Sequence, residues 1–221
     1  MERALPRRTR VKVCGFKHTE QAVAAAELGV DAIGLMFYEP SPRAIDFQQA
    51  ERICQALPPF VSVVALFLDA EATRVTEALN ALPVSLLQFH GTESPAYCEQ
   101  FGRPYIRAVP RDQHAQAAAF QSQFGSAAGF LYDSNTAGQA GGLGETFAWA
   151  DVETTDDRPR ILAGGLDPDN VAAGMRAFAP HSVDVSSGVE RARGDKDPEK
   201  IARFLAAVAF ADAERNQEIK P

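Results

Sequence analysis

The strongest constraint on this chain is a regular alternation: short β-branched, apolar runs followed by longer stretches of helical periodicity, from residue 11 nearly to the end of 221 residues. Eight units can be counted. Their strand candidates are Val11–Cys14, Ala32–Phe37, Val61–Phe67, Ser85–Phe89, Tyr105–Ala108, Gly129–Tyr132, Arg160–Ala163 and Ser182–Val185. Helical patterns lie between them at Glu20–Leu28, Phe47–Leu57, Ala72–Leu82 and Pro95–Phe101, with another at Ile201–Ala211. Apolar strands alternating with helices form a parallel sheet covered by helices. Eight such units in this length predict a single-domain α/β protein, a (β/α)8 TIM barrel over residues 10–211, with an N-terminal arm at 1–9 and a polar, frayed tail at 212–221. The rival, an open doubly wound sheet, is disfavoured because no G-x-G-x-x-G follows the first strand and glycine signals recur after several strands. Asp167-Pro168 and Asp197-Pro198 each place a capping carboxylate before a proline suited to a first helical turn.

Composition narrows the function classes. The net charge is −7, and the Arg3, Arg7, Arg8, Arg10 cluster is short and terminal, which argues against nucleic acid as a partner. No run of about 18 apolar residues exists and no signal-peptide pattern opens the chain, so neither a membrane nor export is expected and the cytoplasm is the expected compartment. Cys14, Cys54 and Cys98 are odd in number and widely spaced, which suggests neither a disulfide framework nor a metal site.

In such a barrel, chemistry sits at the C-terminal ends of the strands. Lys12 and Cys14, two apart on the first strand, face the same side, with the ammonium group placed to favour a thiolate. Two prolines around Ser41 stiffen the loop that presents Arg43, whose guanidinium suits a carboxylate or phosphate. Gln88 and His90 share a face at the end of the fourth strand, the histidine in a supporting role. Asp133 ends the sixth strand, where a partly desolvated carboxyl group can serve as an acid. The turns containing Gly142 and Gly144, Gly164 and Gly165, and Ser187 and Gly188 follow strands six, seven and eight, and together point to a phosphorylated small-molecule substrate.

The blocks KVCGFK, DAIGLMFYEPSPRAI, LLQFHG, GFLYDS, GGLGETFAW, ILAGGLDPDNV and VDVSSGVE, in this order, resemble the phosphoribosylanthranilate isomerase family from residue 10 to about 205. The resemblance implies a cofactor-free Amadori rearrangement in tryptophan biosynthesis. It assigns the general base to Cys14, the general acid to Asp133, carboxylate binding to Arg43 and phosphate binding to the glycine turns. Glu145 departs from the family pattern by adding a negative charge near the expected phosphate loop. A ProFAR-type isomerase of histidine biosynthesis, which resembles a two-aspartate design, is separated by the cysteine on strand one and by Ser41-Pro42-Arg43. A catalytically silent binding barrel would have lost the Cys14, Asp133 and Arg43 set. A stand-alone enzyme, monomer or homodimer, is expected.

Overall fold

The computed structural model describes residues 8–134, 152 and 157–218. Eight parallel strands close into a barrel in sequence order: β1 Arg10–Cys14, β2 Ala32–Met36, β3 Ser62–Phe67, β4 Leu86–Phe89, β5 Tyr105–Val109, β6 Gly129–Tyr132, β7 Arg160–Leu162 and β8 Ser182–Val185. Closure is direct, with Val11 opposite Val183 and Lys12 opposite Asp184 in the β1–β8 register. Each strand begins and ends within one residue of its expected bounds.

Helices α1 Thr19–Glu27, α2 Phe47–Ala56, α3 Ala72–Ala81, α4 Pro95–Glu99, α5 Ala117–Gln123, α6 Val171–Phe178 and α7 Pro198–Glu218 surround the barrel. Each apolar stripe has a local cause. In α7, Ile201, Phe204, Val208 and Ala211 recur at spacings of three and four and are buried on one side. The start of α2 is fixed by a capping box: the Asp46 carboxylate accepts from Gln49 N at 2.7 Å, and the Gln49 side chain accepts from Asp46 N at 3.2 Å.

The largest apolar cluster lies between strands and helices, where Val13, Ile33, Leu35, Ala65, Phe67 and Phe89 meet Ala22, Ala25, Ile53, Val75 and Phe204. The alternate strand positions face inward. There Ile106, Ala108, Leu131, Ile161 and Ala163 fill one part of the lumen, and Cys14, Met36 and Leu66 form a separate small cluster. The period of two that sends valine and phenylalanine outward is therefore what points Cys14 into the barrel.

Three expectations need correction. The tail expected to fray from residue 212 is helical to Glu218, and the arm does not reach residue 9: the buried Asp212 carboxylate accepts from Thr9 N at 2.6 Å and Thr9 Oγ1 at 2.7 Å, and Arg215 pairs with it at 2.7 Å. Asp167 does not cap a helix starting at Pro168. Its Oδ1 accepts from Asp169 N and Asn170 N, closing a turn, and α6 begins only at Val171. Asp197 does stand directly before α7, accepting from Glu199 N at 2.9 Å.

Two features were not expected. A 3-10 segment, Arg111–Gln116, leads into α5, and a short antiparallel hairpin, β9 Glu190–Ala192 with β10 Asp195–Lys196, follows β8. Among the described residues, no helix is long and apolar enough to cross a membrane.

Candidate active site

The C-terminal mouth of the barrel holds a cavity of about 640 Å3, solvent at its opening included, lined by Cys14, Arg43, Gln88, His90, Asp133 and Asp184 together with apolar residues and the loops after β7 and β8. Of the residues expected from the sequence, Cys14, Arg43, Gln88, His90, Asp133, Gly164, Gly165 and Ser187 all reach this cavity. Gly188 sits behind it, in the one-turn 3-10 segment Ser187–Val189. Lys12 lies below its floor. Gly142, Gly144 and Glu145 fall outside the described residues.

Lys12 donates to Asp184 Oδ2 at 2.6 Å, both side chains being buried in the lumen. Burial opposes the lysine's charge, yet Asp184, and behind it Cys14, outweigh burial and hold Lys12 above the usual lysine range. Cys14 experiences the opposite balance. Burial pushes its thiol up, Lys12 pulls it back, and burial prevails. The ammonium group favours a thiolate, as expected, but at rest the proton stays on sulfur. Burial also pushes Cys54 up to about 11 and Cys98 up to about 12, and neither lines the cavity.

Across the mouth, His90 Nε2 stands 3.6 Å from Asp133 Oδ2. Burial lowers the His90 pKa more than Asp133 raises it, so the ring is neutral near pH 7. The Gln88 amide lies against the other ring nitrogen, its Nε2 3.4 Å from His90 Nδ1. Among the described residues, Gln88 Oε1 and Asp184 Oδ1 are buried acceptors without a partner. Buried oxygens are rarely left so, and since both residues line the cavity these are acceptors suited to ligand hydroxyls.

The His90 loop is braced from behind. Buried Arg107 on β5 donates to Phe89 O at 2.9 Å and Gly91 O at 2.6 Å, and Glu93 accepts from Asp69 N and Gly91 N. On the opposite side, Gly164 has φ +76, and a Cβ there would come within 2.4 Å of Ser134 N. Only glycine lets this turn lie against the Asp133 segment. The amides of Gly164 and Gly165 have no hydrogen-bond acceptor among the described residues, and Asn170 Nδ2 holds the turn through Gly165 O at 2.8 Å. Unpaired N–H groups of this kind form an anion-binding concavity.

Arg43 is more constrained than a loop arginine was expected to be. Its Nε and Nη2 donate to the two oxygens of Glu190 at 2.7 and 2.9 Å, and Lys196, fully buried, donates to the same carboxylate at 2.8 Å. Burial pulls Lys196 down to about 8 against the opposing pull of Glu190.

Sequence reasoning missed Asp184, Arg107, Glu190 and Lys196. Asp184 carried a usable signal: it is an acid between Val183 and Val185 on a strand, so the same two-residue period that turned Lys12 inward turns it inward too. Among the described residues, no cluster of His, Cys, Asp and Glu is arranged to hold a metal ion.

A closed eight-stranded barrel whose mouth gathers a thiol, a histidine–carboxylate pair and unpaired loop amides defines a (β/α)8-barrel enzyme of acid/base chemistry on an anionic small molecule. Within that class the chain belongs to the N-(5'-phosphoribosyl)anthranilate isomerase family, whose model matches residues 11–207. It is 49% identical over 199 residues to N-(5'-phosphoribosyl)anthranilate isomerase of Pseudomonas fluorescens, covering 90% of this chain and 95% of the relative. The crystal structure of the phosphoribosyl anthranilate isomerase from Thermotoga maritima superposes with a TM-score of 0.81 at 32% identity, covering 91% of this chain and 99% of that one. Another isomerase structure, 29% identical with a TM-score of 0.76 and coverage of 91% and 99%, is a complex with reduced 1-(o-carboxyphenylamino)-1-deoxyribulose 5-phosphate.

Proposed function

We propose that this protein catalyses the Amadori rearrangement of N-(5'-phosphoribosyl)anthranilate to 1-(o-carboxyphenylamino)-1-deoxyribulose 5-phosphate in tryptophan biosynthesis, without a cofactor, in the cytoplasm and as a monomer or homodimer. The observation that carries the reading is the pairing, in one cavity, of a buried thiol under a cationic neighbour with a carboxyl group beside a neutral histidine. Family membership and the ligand of the related complex support it.

Asp133 donates a proton to the furanose ring oxygen, the ring opens, and the nitrogen lone pair completes a Schiff base. His90 stays neutral, its Nε2 3.6 Å from Asp133 Oδ2. Cys14 then takes the C2 proton, the electrons move into an enolamine, and return of a proton to C1 with loss of the O2 proton gives the ketone. The base starts as a thiol, so turnover draws on the small thiolate fraction that Lys12 sustains. Arg43 takes the anthranilate carboxylate, and the amides of Gly164 and Gly165 with the loop at Ser187 and Gly188 take the phosphate, joined by the loop of Gly142 and Gly144. Holding both ends of the substrate supplies the orientation that lets modest acid and base groups work.

The test is the decay of phosphoribosylanthranilate fluorescence, with substrate generated in situ. Wild type accelerates the decay; Cys14→Ser and Asp133→Asn lose at least about 10²-fold in kcat while keeping affinity for the reduced product analogue. A Cys14→Ser enzyme with near wild-type turnover refutes the base assignment.

A further inference from the structure

We propose that the β9–β10 hairpin is a positioning element for recognition of the substrate's carboxylate: Glu190 fixes the plane of Arg43, and Lys196 ties that pair to the strand bearing Cys14. The proposal rests on the reading of Arg43 given above.

The geometry is a continuous chain of contacts. Glu190 engages Arg43 through Nε and Nη2, with side-chain exposures of only 4% and 5%. Nη1 is left without a protein partner among the described residues, while Arg43 lines the cavity. The arginine stem passes tightly over Gly15, where a Cβ would lie 2.6 Å from Arg43 Cδ. Lys196 Nζ reaches Glu190 Oε1 at 2.8 Å, Ser186 O at 3.1 Å and Ser186 Oγ at 3.2 Å, and Ser186 Oγ donates to Cys14 O at 2.9 Å. One carboxylate therefore connects the binding arginine to the end of β1.

Charge shows why both hairpin residues are needed. Arg43 and Glu190 alone sum to zero, and a neutral pair gives an incoming carboxylate little attraction. Lys196 restores one net positive charge to the cluster. The paired guanidinium keeps its amino group in a fixed direction, so the rotamer entropy of a free arginine is not lost on binding.

The two possible roles of Glu190, charge and geometry, predict opposite signs for Glu190→Gln. As a charge alone, Glu190 repels the ligand carboxylate, and its neutralisation tightens binding. As a positioning residue, its loss frees Arg43 and weakens binding. The measurement is titration calorimetry with two non-reacting ligands, reduced 1-(o-carboxyphenylamino)-1-deoxyribulose 5-phosphate and its phenylamino counterpart without the carboxyl group.

Glu190→Gln is expected to weaken the carboxylated ligand about tenfold and leave the other within about twofold. Glu190→Asp and Lys196→Met should show the same selective loss, and Lys196→Arg should restore most of it. Equal losses for both ligands, unchanged affinity or tighter binding each overturn the proposal, as does unfolding of both Glu190 variants in thermal melts. A wild-type enzyme that binds the two ligands equally refutes instead the role of Arg43 on which the proposal stands.

Discussion

Replacing Lys12 by methionine should separate the structural from the chemical use of one buried charge. Lys12 and Asp184 meet at 2.6 Å with side chains only 8% exposed each, so removing one partner strands a carboxylate in the lumen. Breaking such a pair costs about 3–5 kcal/mol; in a chain of this size that corresponds to a fall in Tm of roughly 6–20 °C. The chemical effect follows from the same atoms. Lys12 is the main cation holding the Cys14 thiol down against burial, so its loss raises the thiol further and shrinks the thiolate fraction. A base that titrates above the assay pH gives a kcat that climbs with pH, about tenfold per unit. In Lys12→Met the bend of that climb should move to higher pH. The assay is the fluorescence decay followed from pH 6 upward, beside thermal unfolding. Lys12→Met/Asp184→Leu is the control: with no charge left stranded it should recover much of the stability without recovering the rate. A bend that stays in place, or moves to lower pH, refutes the view that this lysine sustains the thiolate.

Two further perturbations probe the frame. Burial pushes the Asp31 carboxyl up, but Val11 N–H and the Arg10 and Arg8 guanidinium groups outweigh it and hold the group below the ordinary carboxylate range. A folded pKa below the unfolded one, about 3.9, contributes stability that is fully present above that value and is lost as pH falls through the folded pKa. Asp31→Asn should therefore lower urea midpoints at pH 7 and flatten the acid side of the stability profile; an unchanged acid side counts against the contacts. Phe60 is fully exposed in the left-handed region at φ +70. Phe60→Gly should raise stability by about 1 kcal/mol, because that conformation costs a side-chain-bearing residue roughly 1–2 kcal/mol; a lower Tm refutes the strain at this position.

Where the sequence was readable, two signals did most of the work. The alternation of short apolar runs with helical stretches located all eight strands; the period of two along them put Cys14, Gln88 and His90 at the cavity, and it applies equally to Asp184. Other features depend on contacts that no local pattern encodes. Glu190 lies 147 positions from Arg43, and the two meet only because the barrel closes and the hairpin after β8 packs against the Arg43 loop. The end of α7 misled for a related reason. Residues 212–218 read as polar and loose, but Asp212 is buried by a bond to Thr9, 203 positions away, and the helix continues past it. Burial itself altered one expected balance: a lysine beside a cysteine reads as an activated thiolate, yet the cost of removing that thiolate from water exceeds what the lysine returns.

That bond between Thr9 and Asp212 brings the two ends of the barrel together. The first strand and the last helix are already fastened side by side, and neither residue belongs to the catalytic mouth. A short peptide joining them would close the polypeptide into a loop, which could then be opened at the exposed turn around Phe60. New termini placed at exposed turns are the kind that domains tolerate best. Such a circular permutant would keep every pairing of the barrel while moving the segment up to Phe60 behind the rest of the chain, so that Asp133 would leave the ribosome before Cys14.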